Sequence, residues 1–107
     1  MSNKACFVYM TAGSKEEANT IGRALVEEKL AACVNIIDGM TSIYRWEGKL
    51  ESASETVLIA KTMSDTVEAL TARVKTLHSY DCPCVVSLNI QGGNQQLLSW
   101  IEEQITI

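Results

Sequence analysis

Two residue types are almost missing from this chain. Across 107 residues there is one histidine and one proline. A single imidazole leaves no histidine pair for a finger-type zinc site, and any histidine-dependent catalysis would have to use His78. Long apolar runs are missing too. None approaches the ~20 residues that span a bilayer, so no membrane association is expected. Basic clusters are also absent: the nine lysines and arginines are scattered among thirteen acidic residues, and the net charge is −4. Nucleic-acid binders carry basic clusters that displace counterions from phosphates, so nucleic acid is not an expected partner. There is no phosphate-cradling loop and no dinucleotide fingerprint. No catalytic constellation is evident in the order of residues, and an enzyme is not the expectation.

What is present suits one domain spanning residues 1–107. A chain of this size buries roughly 65% of its extended surface on folding. Hydrophobic residues make up 47% of it, enough to suggest surface buried between copies of the chain. The cysteines are Cys6, Cys33, Cys82 and Cys84. Nothing else looks like a disulfide scaffold, so free thiols in a reducing compartment are expected. The start, MSNKACFVYMTAG, has one lysine and only a short apolar stretch, a weak imitation of a secretion signal. A cytoplasmic protein is the expectation.

Residues 5–12 are rich in strand formers. Ser14-Lys15-Glu16-Glu17 then reads as a capping box opening a helix, along which Ala18, Ile21, Leu25 and Val26 lie at helical spacing. Residues 30–38 read as a second strand and 41–47 as a third, with Asp38-Gly39 as a hairpin turn between them. The polar stretch 48–54 turns the chain into a fourth strand at 55–62. Ser64 or Asp65 caps a second helix through Val67, Leu70, Val74 and Leu77. A last strand covers 84–90, with Pro83 at its start, and a short helix runs from about 95 to 104. The order contains β-α-β-β-α-β, so the predicted fold is α+β and ferredoxin-like, with an extended hairpin and a C-terminal helix. The middle strands could form one long bent hairpin.

Several strands are apolar on both faces. Phe7 and Tyr9 oppose Cys6, Val8 and Met10, and Leu58 and Ala60 oppose Val57 and Ile59. A sheet with helices on one side should expose a polar second face. The pattern predicts that other subunits cover that face, since the terminal helix is too short to cover it alone.

The stretch His78-Ser79-Tyr80-Asp81-Cys82-Pro83-Cys84 concentrates soft-metal ligands. Alternation splits it. Cys82 and Cys84 share a face with Val86, Leu88 and Ile90, which predicts that they open a buried strand and pack as small hydrophobes, with soft-metal ligation as the alternative. Cys6 and Cys33 read as core. His78 stands near a helix end, where its charged form suits the dipole or its ring can bond nearby carbonyls. A second set is Tyr44, Trp46 and Lys61. The lysine interrupts an apolar strand and needs a partner or an anion; the expectation is a salt bridge between subunits, with Glu55 or Glu47 as candidate partner, and the alternative is a pocket for a small anionic ligand.

In register, Leu25–Ile37 (LVEEKLAACVNII), Thr41–Glu51 (TSIYRWEGKLE), Lys61-Thr62, His78-x-Tyr80-x-x-Pro83 and Gly93-Asn94-x-x-x-Leu98-x-Trp100 resemble the CutA-type divalent-cation tolerance proteins over nearly the whole chain. The resemblance implies a ferredoxin-like fold assembled as a homotrimer, with architecture like that of the PII signalling proteins, and a link to tolerance of copper and other divalent cations. Of the copper ligands proposed for such proteins, only His78 matches. Met10 stands at the cysteine position and Leu77 at a neighbouring histidine of some relatives. The first loop, Met10–Ser14, lacks the M-x-C-x-x-C of a soft-metal chaperone. The reading that follows is weak binding of copper or another divalent cation, with His78 as principal ligand and Met10, Cys82 or Cys84 as helpers. The alternative is a PII-like regulator that holds a small anion between subunits with Lys61, Tyr44 and Trp46.

Overall fold

The capping box at Ser14 forms in part, with the Glu17 carboxylate accepting the Gly13 N–H in place of the Ser14 N–H. The Ser14 hydroxyl accepts the Glu17 N–H at 3.1 Å, and α1 (Lys15–Glu27) follows β1 (Ala5–Ala12). The computed structural model describes residues 3–106; the first two residues of the leader-like start lie outside that range. Ala18, Ile21 and Leu25 are buried against the sheet, while Val26 is exposed. Gly22 lets α1 settle closely, because a Cβ there would stand 3.3 Å from Val34 Cγ1.

Next come β2 (Cys33–Trp46) and β3 (Lys49–Met63), followed by a single 3-10 turn at Ser64–Thr66, α2 (Val67–Leu77), β4 (Val85–Asn89) and α3 (Gln95–Thr106). The strands form one sheet in the order β2-β3-β1-β4, with every neighbouring pair antiparallel. This is the ferredoxin-like α+β arrangement that the element order predicts.

The predicted hairpin at Asp38-Gly39 is not a hairpin. Residues 30–38 and 41–47 belong largely to one strand, β2, and the turn comes later at Glu47-Gly48, where both residues have positive φ (51° and 79°). Two central residues with positive φ make the tight turn that matches strand twist. Asp38-Gly39 instead forms a bulge. Ile37 pairs with Val57 and Met40 with Glu55, so two residues oppose Thr56 alone. Asp38 Oδ1 holds it by accepting the Gly39 N–H at 2.8 Å and the Thr56 hydroxyl at 3.0 Å. Gly39 has φ +79°, a left-handed conformation that glycine adopts at no steric cost.

The bulge switches which side chains of β2 face which way. Before it, Cys33, Asn35 and Ile37 lie opposite Lys61, Ile59 and Val57. After it, Met40, Ser42, Tyr44 and Trp46 lie opposite Glu55, Ala53, Glu51 and Lys49, still on that same side of β3. Beyond the bulge the two strands project as an arm, and the protomer measures 44 Å by 25 Å by 24 Å.

The core lies between the sheet and α1 and α2. Val8, Met10, Ile21, Leu25, Leu58, Leu70 and Val74 are fully buried there, each contributing about 1.5–3 kcal/mol by leaving water. The other face is partly covered. α3 buries Ile101 against Ala32 and Met63, with Ala5 and Leu98 alongside, and so closes one end. Phe7 pairs with Leu88 and Tyr9 with Val86 across that outer face. Phe7, Val86 and Leu88 are 39%, 53% and 65% exposed in the protomer.

Candidate functional site

The segment 78–84 joins α2 to β4 and is anchored from both ends of its path. His78 closes α2 with its N–H on the Val74 carbonyl at 2.9 Å. Its ring turns inward, with 1% of the side chain exposed. Nε2 lies 2.8 Å from the Thr11 carbonyl oxygen. A carbonyl only accepts, so Nε2 carries the proton. Nδ1 then accepts the Tyr80 N–H at 3.0 Å. Both nitrogens are engaged, and an ion could take either only by displacing a hydrogen bond. His78 belongs to the structure of the loop.

Glu17 grips the same segment from α1. Its Oε1 accepts the Gly13 N–H at 2.9 Å and its Oε2 the Ser79 N–H at 2.7 Å. Burial is the largest influence on this carboxyl and pushes its pKa up. The Gly13 bond, the bonds with Ser79 and the nearby His78 ring together outweigh it, and the pKa is lowered. The capping box pattern reveals Glu17; its second role on Ser79, 62 residues away, has no sequence signal.

Tyr80 carries the loop across to the arm. Its hydroxyl donates to Glu55 Oε2 at 2.9 Å, and Glu55 Oε1 accepts the Ser42 hydroxyl at 2.6 Å. Burial first, then the bond to Glu55 and its charge, with smaller effects from Glu17 and Tyr44, push the Tyr80 phenol up to about 12.

Between loop and arm lies an open cleft of about 530 Å³. The arm lines it with Tyr44, Trp46, Ala53 and Glu55. The loop adds Tyr80, Asp81, Cys82 and Cys84, and Thr11 of β1 forms its floor. Among the described lining residues there are two carboxylates and two thiols, and no lysine, arginine or histidine.

Cys82 and Cys84 do not open a buried strand as predicted. Both are exposed, and β4 begins at Val85. The alternation that predicts their side starts only at Val85, where Val86 and Leu88 share one side. That side is the outer face, which the helices leave uncovered. Burial, then Glu55 and then Cys82 push the Cys84 thiol up. Cys6 is core as expected. Cys33 is not: it is half-buried on the outer face, with Lys61 Nζ 3.8 Å from its sulfur.

The four candidate metal ligands are not brought together. Met10 is 1% exposed on the helix-covered face, His78 lies behind the cleft, and only the two thiols enter it. Among the described residues no three His, Cys, Asp or Glu side chains gather into a ready cage for an ion. The candidate anion site is also divided. Tyr44 and Trp46 line the cleft, but Lys61 stands six residues along β3 from Glu55, about 20 Å at ~3.3 Å per residue. Its ammonium donates to Asn35 Oδ1 at 2.7 Å and lies 6.0 Å from the Phe7 ring centre. Within the protomer Asn35, not Glu55 or Glu47, is its polar partner.

The family model described as "CutA1 divalent ion tolerance protein" matches residues 6–104. The chain belongs to this CutA1 family. The "Divalent-cation tolerance protein CutA" of Thermus thermophilus is 49% identical over 96 residues, which are 90% of this chain and 93% of that protein. "Protein CutA 1, chloroplastic" of Oryza sativa is 45% identical over 95 residues, which are 89% of this chain but 54% of that longer protein. A solved structure of the divalent cation tolerance protein (Cut A1) from Thermus thermophilus superposes with a TM-score of 0.92 at 47% identity, covering 94% of this chain and 97% of that one. The CutA1 fold therefore extends over nearly all of the described residues, the cleft included.

Proposed function

We propose that this protein is a cytoplasmic homotrimer that takes part in the response to divalent metal ions, copper among them, by binding a cation weakly in the cleft between the arm and the 78–84 loop. The observation that carries this reading is the cleft lining: oxygen and sulfur donors of negative or neutral charge, with no cationic side chain among the described residues. Carboxylates suit hard and borderline ions and thiols suit soft ones. A small anion would instead meet Glu55 and Asp81, with Lys61 distant along β3. The ion class comes from the names of relatives, which are divalent-cation tolerance proteins. In this reading His78 shapes the loop and Met10 packs the core behind it. With both ring nitrogens of His78 bonded, binding rather than a reaction is proposed.

The trimer is supported by the exposed apolar outer face, which a stable sheet covers; three copies is the number the family resemblance implies. The cytoplasm is supported by four free cysteines.

Calorimetric titration with Cu(II) and Zn(II), beside sedimentation equilibrium, tests both parts. The wild type should bind at least one ion more tightly than ~100 μM, about −5.5 kcal/mol, and Glu55→Gln/Asp81→Asn should weaken it tenfold or more. No binding at that level, or binding indifferent to the substitutions, would sink the metal reading. A monomer at micromolar concentration would sink the trimer.

A further inference from the structure

The cleft holds two thiols that ligation of a divalent ion by the Glu55 and Asp81 oxygens leaves free to act together. Cys82 and Cys84 are two apart in the loop that leads into β4. Both are exposed and both line the same cleft. Pro83 between them fixes its own φ and removes a donor, which narrows the ways the pair can move apart. A disulfide across one intervening residue is strained, so the pair remains available as two thiols. Among the described residues no third His, Cys, Asp or Glu completes a cage around them. Zinc sites built on thiolates take four ligands, which this pair cannot supply. Copper(I) is a soft ion that thiolates select, and two thiolates in line satisfy it.

We infer that Cys82 and Cys84 form a two-coordinate site for copper(I), distinct in its donors from the Glu55 and Asp81 oxygens that serve divalent ions in the same cleft. This inference rests on the metal reading above and narrows it to one ion and one oxidation state. Binding breaks two S–H bonds and forms two Cu–S bonds; both protons pass to solvent, and the copper stays Cu(I) throughout. The product is a bis-thiolate complex with one negative charge. Trp46, lining the same cleft, reports the event through quenching of its fluorescence.

The test uses the full chain, reduced and kept under anaerobic conditions. Copper(I) is titrated in competition with a chromophoric copper(I) chelator, and Zn(II) is titrated separately by calorimetry. The background variant is Trp100→Phe, which leaves Trp46 as the only indole. One copper(I) per chain should bind and quench Trp46. Cys82→Ser and Cys84→Ser should each weaken copper(I) at least a hundredfold and leave Zn(II) affinity within threefold. Both sites are exposed, so the variants should keep the circular dichroism of the parent, and a Cys6→Ser/Cys33→Ser variant serves as the control for the other thiols. If Cys82→Ser/Cys84→Ser binds copper(I) as tightly as the parent, or if only the Cys6 and Cys33 control loses it, the inference is overturned while divalent binding at the oxygens still stands. If the wild type binds neither copper(I) nor any divalent ion, both readings fail together.

Discussion

Replacing Glu17 with alanine should do more damage than its surface position suggests. The carboxylate accepts two backbone N–H groups, Gly13 at 2.9 Å and Ser79 at 2.7 Å, and so joins the start of α1 to the loop that borders the cleft. A hydrogen bond to a charged group contributes about 1.5–3 kcal/mol. Gly13 and Ser79 are exposed enough for water to replace the lost acceptor in part, which argues for the lower end of that range. Two such bonds give an expected loss of about 3 kcal/mol for Glu17→Ala at pH 7. Glu17→Gln keeps a carbonyl acceptor for one N–H and should lose less, about 2 kcal/mol. The pH dependence has a definite sign. A carboxyl whose folded pKa is lowered contributes stability above its unfolded value, near ~4.3, and that contribution disappears as pH falls through the folded value. The deficit of Glu17→Ala should therefore be full at neutral pH and shrink below about pH 4. Urea unfolding at one fixed protein concentration, which keeps any assembly term constant, measures it. A deficit under about 1 kcal/mol at pH 7, or one that stays constant down to pH 3, would refute the account of Glu17 as a charged clamp.

Three further outcomes follow from the geometry. Deleting Gly39 removes the bulge and leaves Asp38 alone opposite Thr56, while pairing with β3 keeps Tyr44 and Trp46 opposite Glu51 and Lys49 on the cleft side; divalent-ion affinity should stay within about threefold with the far-UV dichroism retained, and a tenfold loss would contradict the pairing argument. In a spectrophotometric titration, the phenol lost in Tyr80→Phe should be one ionising near pH 12, not near the ordinary ~10; a missing transition at 10 would deny its burial against Glu55. Leu88→Glu places a charge beside Phe7 on the outer face, where the side chain is already 65% exposed in the protomer; it should leave the protomer folded, within ~0.5 kcal/mol, but yield monomers at micromolar concentration, and an intact trimer would place the interface elsewhere.

The architecture was largely legible from local pattern. The capping box at Ser14, the helical spacing of Ala18, Ile21 and Leu25, and the alternation along β1 and β3 each concern residues a few positions apart, whose geometry the backbone period dictates. The site was less legible. Asp38-Gly39 carried a stronger hairpin signal than Glu47-Gly48, yet the chain turns at the second. The deciding partner of Asp38 is Thr56, 18 residues on. The cysteine pair was assigned to the head of a buried strand, yet both thiols are exposed and precede β4, because alternation identifies neither where a strand begins nor what covers it. His78 was named the principal ligand through the family resemblance; its acceptor partner, the Thr11 carbonyl, is 67 residues away.

By itself, then, the sequence determined the element order, the helix start, the two-faced apolar sheet and membership of the CutA1 family. These rest on short-range periodicity and on motifs in register along one chain. Only the tertiary structure decided which face α1 and α2 cover, that a bulge turns Tyr44 and Trp46 towards Glu55, and that Cys82 and Cys84 stand open beside two carboxylates. Those outcomes depend on contacts between residues far apart in the chain, formed when β1, β3 and the 78–84 loop come together, and no local pattern encodes them.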